Sequence, residues 1–200
     1  MRTVTGLFGT YGDARQAVTR LEETGIPSEY ISIVSNTSKD ESYSQDSMAT
    51  EGAGTGAGLG AIAGGAGGLL TGLGLIAIPG VGPVVAAGWL TATAAGAAAG
   101  AVAGGAVGGL VGAMINSGVS EEDAHVYAEG IRRGGTMIVA KVDEGLVADA
   151  EAILQQANRV DTQARRTAYE DAGRRRFDET QGHYSEEEVE AERRGRHRQG

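Results

Sequence analysis

Cysteine is missing from this chain of 200 residues. That excludes disulfide bridges and thiol catalysis, and it fits a reducing compartment. An excess of positive charge is missing too. The formal net charge is −9, which argues against a nucleic-acid partner. Met1-Arg2-Thr3-Val4 holds no apolar signal region, so the expectation is a chain without a signal peptide that starts in the cytosol. No Gly-Lys-Ser/Thr phosphate loop occurs anywhere,. The longest gap is in charge of either sign. From Gly52 to Ser120 there is no Asp, Glu, Lys or Arg.

That uncharged stretch carries 22 of the 34 glycines. Its centre is the turn Ile78-Pro79-Gly80-Val81-Gly82-Pro83. Backward from the turn, glycines stand at Gly72, Gly68, Gly64, Gly60, Gly56 and Gly52. Forward, they stand at Gly88, Gly96, Gly100, Gly104, Gly108 and Gly112, with Ala92 in the one gap. Both series step by four and mirror each other about Gly80: 72 with 88, 64 with 96, 60 with 100, 52 with 108. Residues four apart share a helix face. A face without side chains lets two backbones come close enough for dispersion and Cα–H···O contacts. The pattern predicts two antiparallel helices, 52–77 and 84–116, packed through these glycines and joined by Pro79, Gly80, Gly82 and Pro83. Four residues turn about 400°, so the stripe drifts by about 40° per step. A drift in that sense favours right-handed crossing.

The solvent for such helices follows from a comparison of energies. Each interior glycine costs a helix about 1 kcal/mol relative to alanine. The eleven glycines from Gly52 to Gly74 therefore oppose the first helix by about 10 kcal/mol in water. In lipid the backbone has no competing water, and helix becomes close to obligatory. The helices would be about 39 and 50 Å long, against a hydrocarbon core of about 30 Å. Insertion is only weakly driven: Leu59, Ile62, Leu69, Leu70, Leu73, Leu75, Ile76 and Ile78 contribute about 2–5 kcal/mol. The expectation is a marginal membrane hairpin, stabilised by its own packing and by self-association. Trp89, the only tryptophan, falls near the turn, where an indole suits an interface. Both flanks are acidic, with Asp46 and Glu51 before and Glu121, Glu122 and Asp123 after. Loop charge therefore gives no orientation, and a basic anchor for anionic lipid is lacking. The competing reading is a soluble Gly/Ala segment buried in an oligomer.

The rest divides into residues 1–37 plus 119–168 as one small α/β domain, a polar linker at 38–51, the hairpin at 52–118 and a charged, partly disordered tail at 169–200. Thr3–Phe8 reads as a strand. Thr10 caps a helix with Ala14, Ala17, Val18 and Leu21 on its apolar face. Thr24-Gly25 stop it, and Tyr30–Ser35 is a second strand. Beyond the hairpin, Ser120-Glu121-Glu122-Asp123 caps a helix whose apolar face is Ala124, Tyr127, Ala128 and Ile131. Arg132 and Arg133 suit its negative end, and Gly134-Gly135 terminate it. Thr136–Val142 is the clearest strand. Val147, Ala150, Ile153, Leu154 and Ala157 mark a helix, and Val160–Ala164 a weak last strand. The order β-α-β, insertion, α-β-α-β predicts an α+β fold: a ferredoxin-like split βαβ sandwich interrupted by a long Gly/Ala-rich antiparallel helical hairpin. A different small α/β layer is the alternative. In the tail, Arg174-Arg175-Arg176 and Glu186-Glu187-Glu188 are blocks of opposite sign, and Ser185 with Glu188 forms a capping box.

Chemistry is hard to place on this chain. Gly6-Leu7-Phe8-Gly9-Thr10-Tyr11-Gly12 lies between a strand and a helix, but Phe8 stands where a dinucleotide fingerprint needs glycine. His125 has Glu122 and Asp123 beside it, which is ordinary capping at a helix start. His183 and His197 lack partners at metal-ligand spacing. No nucleophile and base can be paired. The expectation is no catalytic residue, no cofactor, no metal and no enzyme.

Several pieces together resemble a known family. They are Val4-Thr5-Gly6-Leu7-Phe8, Thr10-Tyr11, Ala14-Arg15-Gln16-Ala17-Val18, Gly25-Ile26-Pro27 and Ile31-Ser32-Ile33-Val34. The Ile-Pro-Gly-Val-Gly-Pro turn, the run Gly118 to Tyr127 and Arg133-Gly134-Gly135 complete the set. Over about residues 3–170 the chain resembles the bacterial general stress protein family with a YflT-like domain. It departs at Gly9 and Gly12, where members often carry Asp. The resemblance implies a non-enzymatic protein of the stress response and offers no catalytic residues. Joined to the hairpin, it gives the expectation of a stress protein on the cytoplasmic face of the inner membrane, with the hairpin inserted. Its partners would be membrane lipid and further copies of itself, a homo-oligomer, with no nucleic acid. The alternative is a soluble homo-oligomer packed through the hairpins, with a ligand-sensing α/β domain.

Overall fold

The computed structural model describes residues 1–36, 74–78, 81–90, 109–171 and, further on, 173, 176–178, 180–181, 184, 187–188 and 191. The strands are β1 (Arg2–Phe8), β2 (Ile31–Asn36), β3 (Gly74–Ile78), β4 (Gly82–Ala87) and β5 (Thr136–Val142). The helices are α1 (Tyr11–Glu23), α2 (Gly109–Asn116), α3 (Glu121–Arg132), α4 (Val147–Gln156) and α5 (Thr162–Asp171). The strands form one antiparallel sheet in the order β1-β5-β2-β4-β3. The fold is α+β.

Two helices start with the same local device. The Thr10 hydroxyl accepts from the Asp13 N–H at 3.1 Å and donates to the Asp13 carboxylate at 2.7 Å. Ser120 does the same with Asp123, at 3.1 and 2.7 Å. Each cap satisfies a backbone donor that the first helical turn leaves unpaired. Behind the caps, the apolar faces expected from the spacing are buried: Ala14, Ala17, Val18 and Leu21 in α1, and Ala124, Tyr127, Ala128 and Ile131 in α3.

These faces lie on opposite sides of the sheet. On one side α1 and α4 cover Val4, Phe8, Ile31, Ile33, Ile138 and Ala140. On the other, α2 and α3 cover Leu7, Val34, Val84, Ala86, Met137 and Val139. The described layers are therefore helix, sheet, helix. The reason is the composition of the strands. Along β5, Met137 and Val139 point one way and Ile138 and Ala140 the other, and all four are fully buried. A sheet apolar on both faces needs cover on both. The second layer comes very close: a Cβ on Gly130 of α3 would stand 2.5 Å from Leu7 Cδ2.

The expected last strand, Val160–Ala164, shrinks to one bridge. Arg159 pairs with Phe8, and the Val160 N–H donates to the Leu7 carbonyl at 2.7 Å. The Asp161 carboxylate then accepts from the N–H groups of Gln163 and Ala164 at 2.9 and 3.0 Å. Capping at Asp161 starts α5 and ends the strand.

The largest correction is at the centre of the uncharged stretch. Residues 74–78 and 82–87 are strands, not the ends of two helices. Pro83 is an interior residue of β4, opposite Ala77. Two causes combine. Ile76, Ile78, Val84 and Val85 are β-branched and suit a pleated surface. The edge of β2 offers backbone partners as well, with Ile33–Asn36 pairing with Val84–Ala87. A ladder on an existing sheet satisfies backbone groups without the helix cost of glycine. The mirror itself survives. Gly74 pairs with Ala86 and Ile78 with Gly82, so the register is centred on Gly80.

Gly88, just past β4, has φ +92°, and a Cβ there would lie 2.2 Å from the Ile31 carbonyl oxygen. Gly88→Ala is expected to lose at least about 1–3 kcal/mol through backbone strain alone. At Gly9 an added Cβ meets nothing within 4 Å, so Gly9→Ala should stay within about 0.5 kcal/mol of the parent. Urea denaturation of the two variants side by side measures the difference.

Candidate functional site

The residues that the sequence nominated fall unevenly. Gly52, Gly56, Gly60, Gly64, Gly68, Gly72, Gly96, Gly100, Gly104 and Gly108 lie outside the described residues, as do Pro79 and Gly80. Gly82 and Pro83 open β4. Gly112 is buried in α2, which lies against α3. Gly88 is a close-approach position beside β2 and not a member of a helical stripe. The chain leaving β4 is pinned there. The Leu90 N–H donates to the Ser32 hydroxyl at 3.0 Å, and the Trp89 indole N–H donates to the Tyr30 carbonyl at 3.1 Å. Lys141 Nζ sits 3.9 Å from the Trp89 ring centre. The indole expected at a membrane interface is thus engaged by the α/β domain.

A second locus was not nominated. A cavity of about 740 Å³ lies between α3, α5 and the segment after it. Glu121, Glu122, His125 and Glu129 of α3 line it, with Arg166, Tyr169 and Glu170 of α5 and with Arg176 and Phe177. Glu129, in its lining, belongs to a buried charge cluster. Glu129 accepts from Arg132 and, at 2.7 Å, from Arg133 Nε. The Glu129 and Arg132 side chains are only 5% and 2% exposed. Aromatic rings cover the cations. Arg132 lies 5.3 Å from the ring centres of both Phe177 and Tyr184, and Arg133 lies 4.9 Å from Tyr169 and 5.2 Å from Tyr184. A guanidinium group can face a π-cloud while it pairs with a carboxylate in its plane.

The wall is held by ion pairs. Arg166 bridges Glu122 at 2.8 Å and Asp123 at 2.7 Å, and Arg176 pairs with Glu121. His125 Nδ1 accepts from the Phe177 backbone N–H at 3.2 Å, and its Nε2 lies 3.9 Å from Glu121. Burial and the Arg176 charge hold the imidazole below its usual range, and Glu121 offsets part of that. Glu121, Glu122 and Glu129 of this cavity are paired with guanidinium groups. Elsewhere, burial raises the Tyr127 phenol and its bond with Thr5 at 2.8 Å partly opposes the rise. That pair ties α3 to β1. Among the described residues no group of three or more His, Cys, Asp or Glu side chains is placed to hold a metal ion.

The charged composition of residues 169–200 predicts a partly disordered tail. Yet Tyr169 is 6% exposed, and Phe177, 9% exposed, belongs to the core cluster of α2 and α3. The available signal was the pair of aromatics, Phe177 and Tyr184, standing alone among charges.

Removing one partner of a buried ion pair leaves the other charge uncompensated. Glu129→Ala should therefore cost about 3–5 kcal/mol. Glu122→Ala, at a pair whose carboxylate is 77% exposed, should cost no more than about 1 kcal/mol. Equilibrium unfolding at neutral pH separates the two. No protein-family model, curated protein or solved structure matches the chain.

Proposed function

We propose that the protein is a non-enzymatic, membrane-associated scaffold, in which a small α/β domain holds two glycine-rich arms together at a bilayer. One observation carries this reading. The β3–β4 ladder has the same mirror as the glycine series, since both are centred on Gly80. Gly74 and Ala86 are paired, so the arms, residues 52–73 and 91–108, join the sheet at the same end of the hairpin. The next mirrored positions outward are Gly72 and Gly88. A β-hairpin that fixes this register aligns two small-residue stripes for close pairing. Both arms lie outside the described residues. Among the described residues no helix is long and apolar enough to cross a membrane, so insertion falls to the arms. At 1.5 Å per helical residue, 22 and 18 residues span about 33 and 27 Å, against a core of about 30 Å.

The α/β part fits a ferredoxin-like core with additions. β5 lies between β1 and β2, and Arg159 bridges to the outer edge of β1, where a fourth strand of that fold would run. The hairpin and the α2–α3 layer are then extras on that frame. A role in the stress response rests on the sequence resemblance. The second reading is a soluble homo-oligomer packed through the arms, whose α/β domain senses a ligand. The cavity beside α3 favours it.

Membrane fractionation with a carbonate wash tests the first reading. The protein should remain in the membrane fraction. A chain that is wholly soluble and monodisperse without detergent ends the membrane reading, and its size in plain buffer then decides for or against the oligomer. Register is tested by paired cysteines in this cysteine-free chain. Gly64→Cys with Gly96→Cys should cross-link within one chain. If pairs shifted by two residues cross-link better, the arms do not follow the mirror set by β3 and β4.

A further inference from the structure

The segment after α5 returns to α3 through contacts of different kinds. Phe177 is buried in the core cluster shared with α2 and α3. Arg132 stacks on Phe177 and Tyr184, and Arg176 pairs with Glu121. The backbone of the segment is held by the bond from the Phe177 N–H to His125 Nδ1. This bond differs from the others in one respect. Its acceptor is a side chain whose charge changes between pH 5 and 8.

We propose that the segment carrying Arg176, Phe177 and Tyr184 is a strap, latched on α3 at neutral pH and released on acidification, with His125 as the latch. To accept from Phe177, Nδ1 must carry no proton. Charging the ring places a proton there, so that a donor faces a donor. It also sets a second positive charge beside Arg176.

The surroundings of the ring decide whether charging is tolerated in place. On α3 it faces Glu121, Glu122 and Glu129; across the cavity it faces Arg166, Tyr169 and Glu170; from the strap it faces Arg176. The three carboxylates that α3 turns toward it are already engaged. Glu121 is bound by Arg176, Glu122 by Arg166, and Glu129 by Arg132 and Arg133. Nε2 carries the proton of the neutral ring and is buried without a hydrogen-bond partner, so the second proton can go only to Nδ1, where the Phe177 N–H already points,. Docking therefore favours the neutral ring. A histidine favoured neutral when docked binds protons more readily when released. Docking is then complete above the free value of about 6.5 and weakens below it, by up to tenfold per pH unit. Release takes away the Arg176–Phe177 wall of the cavity and uncovers the aromatic cover of Arg132.

Hydrogen exchange of the full-length protein between pH 7.5 and 5.0, corrected for intrinsic rates, reads the latch. Peptides containing Phe177 should lose tenfold or more of their protection over this range, while those from α1 and β5 keep theirs. His125→Asn retains an acceptor oxygen near the position of Nδ1 and does not titrate, so it should stay protected throughout. Phe177→Ala should lose protection of the segment at every pH. Unchanged protection in the parent protein overturns the proposal. So does loss in His125→Asn in parallel with the parent, which would assign the effect to the carboxylates. If the Asn variant is undocked at every pH, NMR titration of the parent decides. A shared midpoint for the His125 ring and the Phe177 amide supports the latch, and separate midpoints overturn it.

Discussion

Everything described in this fold is arranged around β5. It pairs with β1 over Thr136–Val142 and with β2 over Thr136–Ala140, and its side chains feed both cores. A strand apolar on both faces cannot stand at a surface, because either face left bare would expose large aliphatic area to water. It demands a neighbour on each side and a helical layer above and below. β1 and β2 supply the neighbours. Helices α1 and α4 supply one layer, and α2 with α3 the other. The polar groups that enter this interior are matched in place. Ser35 and Thr136 share a hydrogen bond of 2.7 Å. The Asn36 amide donates to the carbonyls of Arg132 and Val81 at 3.3 and 3.4 Å. That one side chain joins the end of β2, the end of α3 and the residue before β4.

What could be read from the sequence follows from how far each signal reaches. The caps at Thr10 and Ser120 act within one helical turn, so sequence suffices for them. The apolar faces of α1 and α3 are set by helical spacing, and β5 by an unbroken apolar run. The hairpin is different. Spacing four in glycine is a helical signal only if side-chain-free faces meet each other. Near Gly80 the β-branched residues and the open edge of β2 outweigh it. That edge lies some 50 residues away in sequence, and no local pattern announces it. The turn Ile78 to Pro83 was placed at the right centre with the wrong geometry on either side, because mirror symmetry about a turn is common to helical and strand hairpins.

The site shows the same division. Arg132 and Arg133 read as a helix end, which they are. Their enclosure depends on Tyr169, Phe177 and Tyr184 arriving from a segment of high charge. Such a segment carries too little apolar area to fold alone. It orders by covering a surface that α3 and α5 have already built. Arginine suits this arrangement, since a guanidinium group can accept a ring on its face while it donates to a carboxylate in its plane.

The two edges of the sheet explain where the glycine-rich stretch enters. Beyond β1 the edge is blunted by the Arg159 bridge and by the chain turning into α5. Beyond β2 there is no such device. An exposed strand edge is a template for pairing, and the hairpin fills it with a ladder from the same chain. The junction is rigid on the β4 side, because Gly88 lies flat against Ile31 and both Trp89 and Leu90 are bonded to residues at the start of β2. Force applied to the segment that follows Leu90 therefore passes into β2 and from there to β5, whose side chains feed both cores.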